Sequence, residues 1–275
     1  MGGQNNKDYI PESNQVQSPI DLDNIERYKK KKDAICKLIT GSGTGFICQT
    51  KIKDKTMKLL FTNNHILDKS KIKIDSNIKI KDRNDIKITN NRFVCTNEEL
   101  DYTCIEIFDN ENFKDYFIID PDINCNNPFE EYKNDLIAIM QYPGNEGLSV
   151  AEGNIKEFKN DNTNIIHSVS TDSGSSGSPI ILSTRNLNII GIHLGRAKYN
   201  NTKVDFEKGV YFICNGKVYF NKGVYFKIVL EDIEKQYSNF IQKNSNIKPI
   251  GTYEYEGKNY DKYSLKQFEE NNKKW

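Results

Sequence analysis

The chain has 275 residues, and its 39 Lys and Arg against 38 Asp and Glu leave a formal net charge of +1. This balance gives no electrostatic reason to expect a nucleic acid or an anionic membrane as a partner. No apolar run approaches the roughly 18 residues of a membrane span, no secretory signal peptide is visible, and the apolar content is sufficient for a substantial core.

Short strand-like runs separated by turn signals begin at Asp33. A first set extends to about residue 108, a connection rich in Asp, Asn and Pro follows, and a second set runs from Asp135 to Val229. The glycines at 41, 43 and 45 lack the dinucleotide-loop spacing and precede a strand-like run, so they predict a tight turn between strands. Many short strands indicate an all-β sandwich or barrel, and the pattern alone does not choose between the two.

The two ends of the chain differ from this β-rich middle. Residues 1–32 contain no apolar segment of the kind that begins a secretory signal, and we predict that they form a flexible leader. After Leu230, the spacing of the apolar residues predicts an amphipathic helix. Residues 246–275 follow it, with a Tyr-rich stretch and a weakly helical patch near 264–272.

The segment from Thr171 to Pro179, Thr-Asp-Ser-Gly-Ser-Ser-Gly-Ser-Pro, is the strongest candidate for a catalytic site. A Gly-x-Ser-Gly turn ahead of a strand lets the chain bend sharply and exposes a serine hydroxyl beside backbone N–H groups. A turn of this composition is most often only a turn, but the flanking glycines and the proline favour Ser176 as a nucleophile.

A serine nucleophile needs a base within hydrogen-bond reach and a third group to orient that base. His65 ends an apolar strand-like run, and Asp101 begins another. A lone histidine is usually structural, and Asp101 competes with the loop acids Asp82, Asp85, Glu98 and Glu99. The order His, Asp, Ser excludes the α/β-hydrolase order, because no acid lies between Ser176 and the only later histidine, His193.

Three motifs in this order resemble the trypsin-like serine proteases of the chymotrypsin fold. Thr62-Asn-Asn-His65 is similar to their Thr-Ala-Ala-His, Asp101 with the strand after it resembles their triad aspartate, and Gly174-Ser-Ser-Gly-Ser-Pro179 resembles their nucleophile motif. The Ser-Gly-Ser-Pro ending and the later Gly191-Ile-His193 are closer to the glutamyl-endopeptidase branch. The resemblance implies two six-stranded antiparallel β-barrels with a C-terminal helix, and a cleft between the barrels where the triad meets.

The same resemblance implies roles around the triad. The backbone N–H groups of Gly174 and Ser176 would form the oxyanion hole. Ser170 matches the base of the specificity pocket, where trypsins place an aspartate. Thr171 and His193 match the residues with which glutamyl endopeptidases bind a carboxylate, which predicts cleavage after Glu, or Asp. The alternative for His193 is a strand residue bonded to backbone, and the role of His167 stays open.

The six cysteines show no CxxC pair and no zinc spacing, and none follows His65 before Cys95 to bracket the catalytic histidine with a disulfide. Secreted trypsin-like enzymes usually have such a bridge. Together with the missing signal peptide, this predicts free thiols in a cytoplasmic protein. The sequence predicts no metal site and no cofactor, and the expected partner is a polypeptide substrate.

The predicted organisation is a leader over 1–32, a peptidase domain over 33–230 with barrels at 33–120 and 128–230, and a helix with a tail over 231–275. The predicted activity is that of a serine endopeptidase that works through an acyl-enzyme. Two alternatives stay open: a catalytically silent binding or scaffold module, which has no chemical need for an intact triad, and an acyl hydrolase that acts on esters but not on peptides.

Overall fold

The computed structural model of this chain describes residues 22–198, 212–214, 217–245, 251–255 and 258–262, with side chains for 23–195 and 220–243. Its helices are α1 (Leu22–Lys31), α2 (Pro128–Tyr132) and α3 (Phe226–Ser245). Its strands are β1 (Ile35–Leu38), β2 (Gly43–Ile52), β3 (Lys55–Thr62), β4 (Asn77–Ile78), β5 (Ile86–Lys87), β6 (Val94–Asn97), β7 (Tyr102–Ile107), β8 (Phe117–Ile118), β9 (Leu136–Gln141), β10 (Ser149–Lys159), β11 (Asn164–His167), β12 (Pro179–Leu182), β13 (Ile189–Lys198), β14 (Phe212–Cys214), β15 (Lys217–Tyr225), β16 (Gly251–Tyr255) and β17 (Lys258–Lys262).

Two large sheets follow one another along the chain, and together they confirm the predicted fold class. The first has the order β1-β2-β3-β7-β6, and β8 adds to β2 in parallel, whereas the other strand pairs described in these two sheets are antiparallel. The second has the order β11-β10-β9-β12-β13-β15, and pairing of β11 with β15 closes these six strands into a barrel. β14 attaches to the outer side of β15.

The end of strand β3, Leu59-Leu60-Phe61, is a continuous apolar run because both of its faces are covered. We call the first sheet, with the apolar cluster it covers, the first barrel. Leu60 packs in that cluster, whereas its neighbours Leu59 and Phe61 face a larger core that also contains the interior of the second barrel. Side chains alternate between the two faces of a strand, so a strand covered on both faces needs apolar residues at successive positions. The ring centroid of Phe61 lies 4.9 Å from that of Phe226, which begins helix α3.

Helix α3 begins earlier than the spacing of its apolar residues predicts. The run that ends at Val229 is predicted as strand, but the strand ends at Tyr225, and Phe226 and Val229 already belong to the helix, where both are buried. A short apolar run fits a strand and a buried helix equally well, so only the packing distinguishes them. Asp232 of α3 accepts hydrogen bonds from Tyr102 (2.6 Å) and Asn97 (3.0 Å), which tie the helix to the first barrel.

The end of the segment predicted as a flexible leader forms helix α1. Tyr28 is 3% exposed, and its hydroxyl is hydrogen-bonded to Glu152 (2.5 Å) and Ser183 (2.8 Å) of the second half of the chain. Lys31, the last residue of the helix, pairs with Asp115 at 3.0 Å. The helix is therefore held in place by groups far from it in sequence. Residues 1–21, and the weakly helical patch predicted near 264–272, lie outside the described residues.

Five cysteines have described side chains, and all five are free thiols. Cys95 and Cys104 face each other across β6 and β7, with their sulfur atoms 2.8 Å apart. Among the described residues, no helix is long and apolar enough to cross a membrane.

Candidate active site

His65 and Asp101 form a doubly bonded pair at one end of the first barrel. The His65 Nδ1 atom lies 2.7 Å from Asp101 Oδ2, and the backbone N–H of His65 donates to the other carboxylate oxygen at 2.9 Å. The His65 side chain is 45% exposed and that of Asp101 is 26% exposed. Because both carboxylate oxygens hold the same residue, the imidazole is fixed in orientation and its Nε2 atom is left for other partners.

The local fold explains why two residues so far apart in sequence meet. Thr62, the last residue of β3, pairs with Thr103 of β7, so the end of β3 lies beside the start of β7. His65 follows β3 in a turn that the buried Ile66 anchors. Asp101 precedes β7 with a φ of 52°, a left-handed conformation that Asp tolerates better than most residues.

The loop of residues 171–178, which we call the serine loop, enters β12 through two glycines with positive φ. Gly174 has a φ of +89° and Gly177 a φ of +86°. A Cβ atom on Gly177 would lie 2.2 Å from the carbonyl oxygen of Thr44 and 2.4 Å from Thr62 Oγ1. Glycine is therefore required there both by conformation and by space. The serine loop packs directly on the end of β3, three residues before His65.

Ser176 is partly buried, and its hydroxyl donates to the carbonyl oxygen of Leu194 at 3.4 Å. Within the described part of the chain, no hydrogen bond joins Ser176 to His65. The structure therefore brings His65 and Asp101 into contact and packs the serine loop against the segment that carries His65, while the hydroxyl itself has another acceptor. Catalytic hydrogen bonds are often formed only once a substrate is bound.

From Gly174 to Gly177 of the serine loop, backbone N–H groups that donate a hydrogen bond alternate with groups that do not. Ser175 donates to the carbonyl of Asp172 (3.1 Å) and Gly177 to that of His193 (3.0 Å), whereas neither Gly174 nor Ser176 donates to any acceptor among the described residues. The carbonyl of Ser173 accepts from the N–H of Gly144 at 2.6 Å. A planar trans peptide points its N–H away from its carbonyl, so this bond directs the Gly174 N–H to the opposite side.

The two other histidines form a buried, hydrogen-bonded pair in the second barrel. His193 and His167 are 1% and 0% exposed, and His193 Nδ1 lies 3.3 Å from His167 Nε2. Burial lowers the pKa of His193 to about 3, with a further contribution from nearby His65, and burial beside His193 holds the pKa of His167 well below its usual range. Both rings are therefore neutral near pH 7.

The remaining predicted specificity residues lie on the segment that leads into the serine loop. Ser170 and Thr171 are partly buried, and the carbonyl of Ser170 accepts a hydrogen bond from Gln141 at 3.0 Å. Because Gln141 ends β9, this bond attaches the segment to the barrel wall. In the described residues, no group of three or more His, Cys, Asp or Glu side chains is arranged to hold a metal ion.

Thr44 is the residue at this site that the sequence pattern did not single out. The glycines around it predict a turn, but Gly43 begins β2, and Thr44 lies within that strand, fully buried. Its backbone N–H donates to the carbonyl of Ser176 at 2.9 Å, and its hydroxyl donates to that of Gly174 at 2.8 Å. A threonine between glycines carries no signal in sequence for these contacts, because the partners are more than a hundred residues away.

Two successive β-barrel sheets, a C-terminal helix, and a histidine–aspartate pair beside a glycine-flanked serine define the chymotrypsin-fold class of proteases. The family model described as a trypsin-like peptidase domain matches residues 43–192, and the chain belongs to that family. The protein is accordingly a peptidase by family. A comparison of the sequence with curated proteins found no match.

Solved structures agree with this fold. The serine endoprotease from Yersinia pestis is similar with a TM-score of 0.52 at 14% identity, over 85% of this chain and 73% of that one. The HtrA-type protease AlgW, solved with a decapeptide, is similar with a TM-score of 0.50 at 13% identity, over 85% of this chain and 74% of that one. At such identities the likeness concerns the fold alone.

Proposed function

We propose that this peptidase is a serine endopeptidase in which Ser176 is the nucleophile, His65 the general base and Asp101 the residue that orients His65. The observation that carries the proposal is the His65–Asp101 pair, bonded at 2.7 and 2.9 Å, next to a serine loop that packs on the same strand end. Membership of the trypsin-like peptidase family supports the serine class.

The proposed reaction follows from these positions. Ser176 Oγ attacks the carbonyl carbon of a peptide bond while its proton passes to His65 Nε2, and the carbonyl oxygen becomes negatively charged. The free N–H groups of Gly174 and Ser176 would stabilise that charge. His65 then gives the proton to the departing amine as the C–N bond breaks, and water, deprotonated by the same histidine, hydrolyses the acyl-enzyme.

Intact mass after treatment with an alkyl fluorophosphonate tests the nucleophile. The reagent should add once to the native chain, with loss of fluoride, and Ser176→Ala should abolish the adduct. Ser178→Ala is a matched control, because Ser178 is a buried serine two residues away whose hydroxyl has no partner. An adduct that survives in Ser176→Ala would show that a different residue is the nucleophile.

One observation favours a second candidate, a silent binding module of the same fold. The Ser176 hydroxyl donates to Leu194 rather than to His65, which is the arrangement of an unactivated serine. A folded native chain that gives no adduct, and cleaves no peptide in a diverse library, would support this candidate.

We further propose that the enzyme cleaves after Glu, through His193. The tautomers of His167 and His193 follow from one atom of this buried pair. His167 Nδ1 is buried and has no hydrogen-bond partner. A buried orphan acceptor is better tolerated than a buried orphan N–H, so the proton of His167 belongs on Nε2, where it is donated to His193 Nδ1. His193 must then carry its own proton on Nε2, as a neutral donor that suits a substrate carboxylate.

Matched peptides that differ only by Glu or Gln before the scissile bond test this specificity. Glu and Gln have the same shape, so the ratio of kcat/KM for the two peptides measures the effect of the negative charge alone. We expect the Glu peptide to be preferred by roughly 10–100-fold. Because His193 is neutral in the folded chain, the preference should persist at pH 8. A preference that disappears between pH 6 and pH 8 would contradict a neutral donor.

A further inference from the structure

Thr44 joins the first barrel to the serine loop through two hydrogen bonds, and a third joins it to Tyr142. Its backbone N–H donates to the carbonyl of Ser176 at 2.9 Å, and its hydroxyl donates to the carbonyl of Gly174 at 2.8 Å. The same hydroxyl accepts from the backbone N–H of Tyr142 at 3.2 Å. The residue is 0% exposed, and its own carbonyl accepts from Thr62 Oγ1 at 2.8 Å.

These contacts act on the peptide units that flank an oxyanion donor. The N–H of Ser176 belongs to the peptide between Ser175 and Ser176. The peptide before it carries the Gly174 carbonyl, and the peptide after it carries the Ser176 carbonyl; Thr44 holds both. Because each peptide unit is planar, holding the units on both sides restricts rotation of the unit between them, whose own carbonyl, that of Ser175, accepts from the Ser178 N–H at 3.1 Å.

The Thr44 hydroxyl makes two of these bonds, and the one to Gly174 restrains the backbone of the serine loop. Gly174 has a φ of +89° and no side chain, so its conformation depends on the hydrogen bonds of its neighbours. The Gly144 N–H fixes the peptide before it, and the Thr44 hydroxyl fixes the peptide after it. Removing the hydroxyl would leave the buried Gly174 carbonyl and the partly buried Tyr142 N–H without their partner.

We propose that Thr44 is a positioning residue for the oxyanion hole. Through its hydroxyl, this residue of the first barrel holds the Gly174 and Ser176 N–H donors, which belong to the second barrel. It touches neither substrate nor the reacting atoms. The inference rests on the proposed function, in which Gly174 and Ser176 are the oxyanion donors. Because Thr44 and the serine loop belong to different barrels, the geometry of the oxyanion hole then depends on the packing of the two barrels against each other.

The test compares Thr44→Val, which keeps the shape and removes the hydroxyl, with Thr44→Ser, which keeps the hydroxyl. An alkyl fluorophosphonate is the probe, because its phosphoryl oxygen occupies the oxyanion hole as Ser176 Oγ displaces fluoride. We expect Thr44→Val to lower the maximal phosphonylation rate by about 10–100-fold with the reagent's half-saturating concentration unchanged. Thr44→Ser should stay within about threefold of the native chain.

Ile52→Val is the matched control for stability. Ile52 lies on the same strand, is 0% exposed, and is about 26 Å from Thr44 at about 3.3 Å per residue. If Ile52→Val and Thr44→Val lower Tm equally and also lower the phosphonylation rate equally, the loss of rate follows from loss of stability and the proposal is overturned. Equal rates in Thr44→Val and the native chain, or equal losses in Thr44→Val and Thr44→Ser, would also overturn it.

Ser176→Ala separates this inference from the proposed function. If the reagent still labels Ser176→Ala, the proposed nucleophile is wrong, and with it the basis of the inference. If labelling is lost in Ser176→Ala but Thr44→Val reacts like the native chain, the nucleophile stands and only the role of Thr44 fails.

Discussion

The two barrels place the same side chain in opposite environments. His65 of the first barrel is 45% exposed and bonded to a carboxylate at 2.7 Å, whereas His167 and His193 of the second are buried and bonded to each other at 3.3 Å. A ring beside water and a carboxylate can take up a proton and release it. A ring enclosed with another neutral ring remains uncharged and acts as a fixed hydrogen-bonding group. In the proposed function, this difference separates proton transfer by His65 from substrate recognition by His193.

The largest effect on activity should come from a change in the His65–Asp101 pair. Asp101→Asn retains the shape but presents an amide to His65, so the imidazole loses its orienting carboxylate and its favoured tautomer. We expect kcat to fall by roughly 10³–10⁴-fold with little change in KM. The measurement is steady-state cleavage of a peptide substrate. Asp82→Asn, an exposed loop acid, is the control and should behave as the native chain. Comparable losses in both would remove Asp101 from its proposed role.

The buried pair should govern selectivity rather than rate. His193→Phe removes the proposed carboxylate donor, so the ratio of kcat/KM for Glu and Gln peptides should fall by about tenfold or more. Cleavage of the Gln peptide should change by only a few-fold. His167→Phe removes the group that sets the His193 tautomer and should lower the ratio less. An unchanged ratio in His193→Phe would assign the Glu preference to other residues.

Stability should depend on pH through the same pair. The folded-state pKa of His193 is about 3 and that of His167 is also lowered, while an unfolded histidine has its ordinary pKa near 6.5. Between these values the unfolded chain binds more protons, so the free energy of unfolding falls as pH decreases. The slope is at most about 1.4 kcal/mol per pH unit for each histidine. Urea unfolding at pH 7, 6 and 5 measures it.

The control for this titration is His193→Phe, which removes one of the two buried histidines and should make the decline below pH 6.5 about half as steep. A decline that is as steep in His193→Phe as in the native chain would show that other groups, such as paired carboxylates, cause the loss of stability.

The smallest effect should come from the link between α3 and the first barrel. Tyr102 is fully buried, and its hydroxyl donates to Asp232 at 2.6 Å. Tyr102→Phe removes that bond and should lower the free energy of unfolding by roughly 1–2 kcal/mol, with kcat almost unchanged. Thermal unfolding and the rate of peptide cleavage measure the two quantities. A large loss of kcat would show that α3 also positions the Asp101 turn.

Much of the fold could be predicted because it depends on local pattern. Runs of alternating and continuous apolar residues separated by turn residues were sufficient for an all-β class, and the resemblance of three motifs supplied the barrels. The start of α3 was predicted too late, since the run before Val229 fits either a strand or a helix. The contacts of helix α1 have no local signal, because Tyr28 is held by Glu152 and Ser183 from another part of the chain.

The candidate site also has features that local sequence predicts and features that depend on distant contacts. The sequence by itself determined the order of His65, Asp101 and Ser176 and the glycines that a sharp turn needs, because those depend on residue type and nearest neighbours. Only the tertiary structure decided that His193 is neutral and that Thr44 holds the serine loop. Burial and hydrogen-bond partners are set by residues distant in the chain, as with Thr44 and Gly174, which are 130 positions apart. Such contacts exist only once two barrels have packed together.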